Sequence, residues 1–461
     1  MYFSQHYLEC LSHASYLVGD EVSGKAVVVD PQRDIDEYLS EAAANGLTIV
    51  GVINTHFHAD FLAGHLEVAA ATGAWIGYGE AAETEYPSRA LADGERIVLG
   101  DVVLEVMTTP GHTPESISIQ VFEHADDPVA YGVLTGDALF IGDVGRPDLL
   151  ASIGFTADEL GRMLYDSIQR KLMSLSDEVR VFPAHGAGSA CGKNLSTVLQ
   201  STIGQQRLFN YACQQMSEDD FLAVVTAGQP PAPEYFVYDA VLNRKNRDVL
   251  ASGRELTALD TEAVRAALAE GAVVIDTREN IEFAAGHLLG AINIPADGRF
   301  AETAGMVMAP TDHVVIIAAA GGEREVAVRL ARIGFDNVIG YVTDAQQVMM
   351  ELPDGVARAS RLTPVLLADL LQSQEAPWVL DVRNAGEREA GSIPGAAHIP
   401  LAELSRRLAE VPTDRPIVTY CAGGWRSSVA ASYLRHRGID DTSDLTGGFA
   451  AWEVMHEPVA P

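Results

Sequence analysis

At about 150 residues per domain, a chain of 461 residues holds roughly three domains. Its 48% apolar and 21% charged residues exclude disorder as the main state, and no stretch reaches the ~18 unbroken apolar residues of a membrane span. With 31 basic against 64 acidic residues the net charge is −33, the wrong sign for a nucleic-acid surface, so an anionic substrate needs a local positive centre. The first residues lack a basic segment followed by an apolar one, and four cysteines (Cys10, Cys191, Cys213, Cys421) are too few for a disulfide framework. A cytoplasmic enzyme or binding protein is the expectation.

The first block, residues 1–250, reads as strands alternating with helices. Ala26 to Asp30 predicts a buried strand, Ile35 to Asn45 a helix stopped by Gly46, and Ile49 to Asn54 the next strand. That strand delivers His56, His58 and Asp60 in one short run. His112, Asp137 and His185 follow the apolar runs Val102 to Thr109, Ala130 to Leu134 and Val179 to Phe182. A lone His on a strand is usually a core or surface residue. A set of His and Asp at successive strand ends points to one pocket for a mid-row divalent metal. Cys191, six positions after His185, is either a relay thiol near that pocket or a plain buried residue. Gly228 to Pro233 breaks any helix near the end of this block.

The remainder contains a repeat. Asp276 and Arg278 recur as Asp381 and Arg383, and Gly286 recurs as Gly391, all 105 positions on. The spacing predicts two copies of one α/β domain, residues 255–355 and 360–461, joined near Leu352-Pro353-Asp354-Gly355. In the second copy, the strand Pro416 to Tyr420 runs into Cys421-Ala422-Gly423-Gly424-Trp425-Arg426, with a helix expected from Ser427 to about Arg437. A thiol between a strand end and a helix N-terminus is stabilised as thiolate. Gly423 and Gly424 let backbone N–H groups turn inward around an anion, and Arg426 supplies a fixed charge. The plainer alternative is a buried structural cysteine. The first copy reads Ala319-Ala320-Gly321-Gly322-Glu323-Arg324, so Ala319 is expected in the cysteine's place and no thiol is available there.

The order His-x-His-x-Asp, His, Asp, His resembles the metallo-β-lactamase superfamily over about 200 residues, which implies an αββα sandwich with ligands along one sheet edge. Phe61 stands where the usual motif continues with a second His, which disfavours a second metal. With Gly145-Arg146-Pro147-Asp148, the block is most similar to the persulfide dioxygenase branch. That resemblance implies one Fe(II) per chain on His56, His112 and Asp137. His58, Asp60 and His185 would orient ligands or form an alternative metal set. Arg146 would serve the anionic substrate or a structural pair with Asp148. The six-residue Cys421 loop resembles that of rhodaneses, whose cysteine carries a sulfane sulfur, with Arg426, Gly423 and Gly424 around it.

The fold class implied is α/β multi-domain, an αββα sandwich followed by two rhodanese-like domains with parallel sheets, the first inactive. The implied function is oxidation of a low-molecular-weight thiol persulfide by dioxygen to sulfite, coupled to transfer through Cys421 among persulfide, sulfite and thiosulfate in sulfide detoxification. Neither a nucleic acid nor a membrane is an expected partner, and analogy suggests a homo-oligomer. Two alternatives stay open: a dinuclear zinc thioester hydrolase like glyoxalase II fused to a sulfurtransferase, and a non-catalytic sulfane-sulfur carrier.

Overall fold

A computed structural model describes residues 1–149, 154–250 and 255–456. The chain divides into two compact units, Met1–Arg254 with Arg332–Gly334, and Glu255–Ala331 with Phe335–Pro461.

The first unit is built on two six-stranded sheets. One runs in the order Tyr2–Leu8, His13–Asp20, Lys25–Val29, Thr48–Ile53, Trp75–Gly79 and Arg89–Leu91. The other runs Ser201–Thr202, Arg180–Pro183, Gly132–Gly136, Ile117–Phe122, Val103–Thr108 and Arg96–Val98. Side chains alternate across a strand, and here both faces are covered. Val27 and Val29 enter the core between the sheets with Ile53, Val106, Ile119 and Leu134. Ala26 and Val28 face the opposite way, packing with Tyr38 and Ala42 of the helix Asp36–Ala44 and with Leu66 and Val68 of the helix His65–Thr72. The second sheet is covered in the same manner by Leu164, Ile203 and Phe221 from three helices. This is the αββα sandwich, and it explains why its strands read as unbroken apolar runs. The expected first helix is present, with Asn45 as its C-cap and Gly46 at φ +66°.

The second unit holds two five-stranded sheets of identical order and all-parallel pairing. One is Ala258–Leu259, Val338–Val342, Val314–Ile317, Val273–Asp276 and Ile292–Asn293. The other is Arg361–Leu362, Thr442–Leu445, Ile417–Tyr420, Trp378–Asp381 and Ala397–His398. In each copy the Asp-x-Arg pair closes the end of a central strand, and the arginine also donates to a glycine carbonyl, Gly286 or Gly391. The segment Pro353–Gly355 is a single 3-10 turn after the helix Ala345–Glu351. The helix behind the cysteine loop differs from expectation. It spans Trp425–His436, two residues earlier, because Gly424 at φ +99° serves as its N-cap and so places Arg426 in the first turn. Among the described residues, no helix is long and apolar enough to cross a membrane.

Candidate functional site

The histidine pocket is organised by a residue outside the motif. Asp30, at the end of the strand Lys25–Val29, holds φ at +51°, a left-handed conformation that costs an aspartate about 1 kcal/mol or more. Its carboxylate accepts from Thr55 N and Thr55 Oγ1 at 2.7 and 2.8 Å, and lies 3.0 Å from His58 Nε2. Having given its proton to Asp30, Thr55 Oγ1 accepts from His56 Nδ1 at 3.0 Å. His112 Nδ1 donates to the Arg146 carbonyl at 3.0 Å. The rings of His56 and His112 are thereby fixed with the lone pair on Nε2.

Those two nitrogens meet Asp137. Its Oδ1 accepts from His185 Nδ1 at 2.7 Å, and its Oδ2 lies 3.7 Å from His56 Nε2 and 3.4 Å from His112 Nε2. All three residues are buried, and among the described residues His56 Nε2 and Asp137 Oδ2 have no hydrogen-bond partner. Lone pairs left facing one another in a dry pocket are costly unless something cationic lies among them. One atom from each residue falls within 4.8 Å of the others, so the set fits a divalent metal. Burial, with His58 beside it, holds His56 well below the usual imidazole range, and burial also lowers His112. Burial pushes Asp137 upward, but His185 and His56 outweigh it and keep the carboxyl well below its usual range. Neutral imidazoles and an ionised carboxylate are the protonation states that a metal requires.

His58, Asp60 and His185 form a second cluster of ligand type. Its middle is occupied differently: His185 stands between Asp137 and Asp60, with Nε2 2.9 Å from Asp60 Oδ2. Burial disfavours its charge, yet the two carboxylates raise its pKa well above the ordinary value. Phe61 is buried with its ring 4.3 Å from that of His58 and 4.1 Å from that of His13. His13 is a fully buried imidazole that sequence reasoning missed, because it comes from the strand His13–Asp20 with no motif around it. Glu115, three residues after His112, was also missed; its Oε1 accepts from Phe57 N at 2.8 Å and holds the histidine turn.

Arg146 offers the pocket its carbonyl rather than its charge. The guanidinium is bidentate on Asp148 at 2.7 and 2.6 Å and donates onward to the Ala190 and Pro230 carbonyls. Cys191 lies beside Asp137 and His185, buried, and burial together with Asp60 and Asp137 raises its pKa, so it is present as a thiol.

In the second unit, Cys421 is buried. Its Sγ accepts from Gly424 N at 3.1 Å and Ser427 Oγ at 3.5 Å. The start of the helix Gly448–His456 holds the loop from behind: Phe449 N donates to Cys421 O at 2.7 Å and Ala450 N to Ala422 O at 3.0 Å. Gly448 has φ +59°, and a Cβ there would stand 2.4 Å from Cys421 O. Gly423 lies exposed on the loop. Arg426 reaches Glu387 rather than standing free, with contacts of 2.7 and 2.6 Å. Trp425 Nε1 donates to Asp297 of the other copy at 3.0 Å. In that copy the registers Asp276 with Ile317 and Asp381 with Tyr420 put half-buried Ala318, rather than the expected Ala319, in the place of Cys421; Ala319 is exposed and accepts from Gly322 N at 2.8 Å.

Residues 8–185 match the Metallo-beta-lactamase superfamily, and residues 260–344 and 363–455 each match the Rhodanese-like domain. A metallo-beta-lactamase of solved structure from Staphylococcus aureus subsp. aureus COL is 32% identical with a TM-score of 0.67, covering 74% of this chain and 99% of that one. The mitochondrial persulfide dioxygenase ETHE1 of Homo sapiens is 26% identical over 232 residues, 50% of this chain and 83% of its own length. The hydroxyacylglutathione hydrolase of Rhodospirillum rubrum is 33% identical over 172 residues, 37% of this chain and 60% of its own. The chain belongs to the metallo-β-lactamase superfamily, with persulfide dioxygenases among its homologues and tandem rhodanese-like domains after the sandwich.

Proposed function

We propose that the sandwich, residues 1–250, is a persulfide dioxygenase using one Fe(II) held by His56, His112 and Asp137, and that residues 360–461 transfer sulfane sulfur through Cys421. The observation that carries the first part is the convergence of His56 Nε2, His112 Nε2 and Asp137 Oδ2 with no proton available between them. Two imidazoles and one carboxylate would hold the ion through three donors, and the chemistry it would supply is the joint activation of a sulfur anion and dioxygen. The overall reaction, R–S–SH + O2 + H2O giving R–SH + SO3²⁻ + 2 H⁺, balances in atoms and charge.

The chain's own residues prepare that pocket. Thr55 and the Arg146 carbonyl fix the two rings, which aligns their nitrogens and increases their basicity. His185 Nδ1 donates to Asp137 Oδ1 at 2.7 Å and its Nε2 faces Asp60, which fixes the orientation of the carboxylate toward the pocket. The alignment to persulfide dioxygenases supports the substrate class. At Cys421, the thiolate attacks the outer sulfur of a donor; the old S–S bond breaks, and the donor leaves with its electron pair. Sulfite from the first reaction and persulfide on Cys421 together would give thiosulfate, a route for disposing of sulfide. All four cysteines are free, as a reducing cytoplasm requires. By analogy we also infer a homo-oligomer.

Anaerobic reconstitution with Fe(II), followed by oxygen uptake with glutathione persulfide, tests the reading; absence of uptake removes the dioxygenase. A second reading, a dinuclear zinc thioester hydrolase, draws on the cluster His58, Asp60 and His185 and on the hydrolase relative. Two zincs per chain with turnover of S-lactoylglutathione would establish it instead.

A further inference from the structure

The Cys421 loop carries a carboxylate that its motif does not announce. Glu387 lies on the short helix Ala385–Glu389, and both its oxygens accept from the Arg426 guanidinium, at 2.6 and 2.7 Å. The pair is 29% and 34% exposed, open enough for a small solute to reach. Between residues 421 and 426, Arg426 is the only cationic side chain, and it lies near enough to the nucleophile for a Cys421 thiolate to act on its charge. A guanidinium fork matches the two oxygens of an oxyanion. Here that fork is already filled from within.

We propose that Glu387 is a specificity-determining residue of the sulfur transfer at Cys421: as a built-in counter-ion of Arg426 it disfavours dianionic thiosulfate and leaves an organic persulfide as the preferred donor. This rests on the sulfur-transfer reading of Cys421. With a persulfide, Cys–S⁻ + R–S–SH gives Cys–S–SH + R–S⁻; one S–S bond forms, one breaks, and the thiolate leaves with the electron pair. With thiosulfate, Cys–S⁻ + S–SO3²⁻ gives Cys–S–S⁻ + SO3²⁻. The second donor brings two negative charges to a rim already holding Glu387 and must displace it or endure its repulsion. The first brings at most one.

The test compares full-length wild type, Glu387→Gln and Glu387→Asp under anaerobic conditions. The Gln variant keeps an oxygen for Asn384 N, which Glu387 now caps at 3.1 Å, so the helix is retained while the charge is removed. Loading of Cys421 is followed by intact mass after addition of thiosulfate or of glutathione persulfide, and thiosulfate turnover with cyanide gives kcat and KM. In Glu387→Gln, kcat/KM for thiosulfate should rise about tenfold, mainly through KM, while loading by glutathione persulfide stays within about twofold. Glu387→Asp, with its charge retained, should keep the wild-type preference. An unchanged or reduced thiosulfate efficiency in the folded Gln variant, or equal gains with both donors, overturns the proposal. A wild-type Cys421 loaded by neither donor removes the sulfur-transfer reading and this inference with it.

Discussion

In both rhodanese-like copies an aspartate and an arginine two residues later grip each other and a glycine carbonyl, Asp276 with Arg278 and Asp381 with Arg383. Around the loops the copies part. Cys421 is buried under the N–H of Gly424, beside a guanidinium locked to Glu387, whereas the registers Asp276 with Ile317 and Asp381 with Tyr420 put a half-buried alanine, Ala318, in its place. The strand registers Leu259 with Val342 and Leu362 with Leu445 bring Ala345 into the place of Gly448. The glycine that admits close approach to the loop carbonyls is therefore missing from the copy that lacks the thiol. The clasp persists in the copy without a cysteine; the loop packing does not.

Exchanging the nucleophile has the largest expected effect. Cys421→Ser should abolish thiosulfate:cyanide transfer while leaving persulfide-dependent oxygen uptake within about twofold. Adding Ala318→Cys to that variant should restore nothing, and recovered turnover would break the comparison. Next comes the clasp. Asp381→Ala leaves Arg383 buried without its partner and should destabilise its copy by about 3 kcal/mol in calorimetry of the whole chain. Asp276→Ala should cost somewhat less, because Arg278 is more exposed, at 16% against 4%. No cost at Asp276 would show that the clasp is not a device of the fold.

Acid sharpens the same point. Burial pushes the Asp381 carboxyl up, but hydrogen bonds from Arg383 and Tyr420 prevail and hold it below the usual range. A depressed carboxyl contributes its full stability above the unfolded value of about 3.9 and loses it as pH falls through the folded value. Denaturation midpoints of the wild type should therefore fall more steeply on acidification below about pH 4 than those of Asp381→Asn. The smallest effect is expected at the matched turns. Gly290 and Gly395 have φ +81° and +78° with open space around them, so each Ala substitution should cost about 1 kcal/mol, equally in the two copies. Unequal costs would mean that the turns have diverged with the loops.

Much of this was legible in the chain itself, where the signal was periodic or chemical. The 105-position repeat located both clasps, and the strand-end rule gathered His56, His112 and Asp137 into one pocket. What stayed hidden came from strands far away in sequence or from backbone conformation. Asp30 and His13 carry no motif, and no composition rule announces φ +51° at an aspartate. For Arg146 the sequence left open a substrate-facing charge or a pair with Asp148; the guanidinium folds back onto Asp148 and leaves the carbonyl to orient His112. The early helix start at Trp425 follows from the left-handed Gly424, which spacing alone does not reveal.

Gly448 gives a means of sorting chains of this architecture before any of them is purified. A side chain there would collide with the carbonyls of Cys421 and Ala422 on a backbone that already excludes most residues. A tandem homologue with a bulkier residue at this place cannot shape its cysteine loop in this way, even with the cysteine intact. Inspection of that single position would thus flag genomes whose second copy keeps the cysteine but not a loop of this shape.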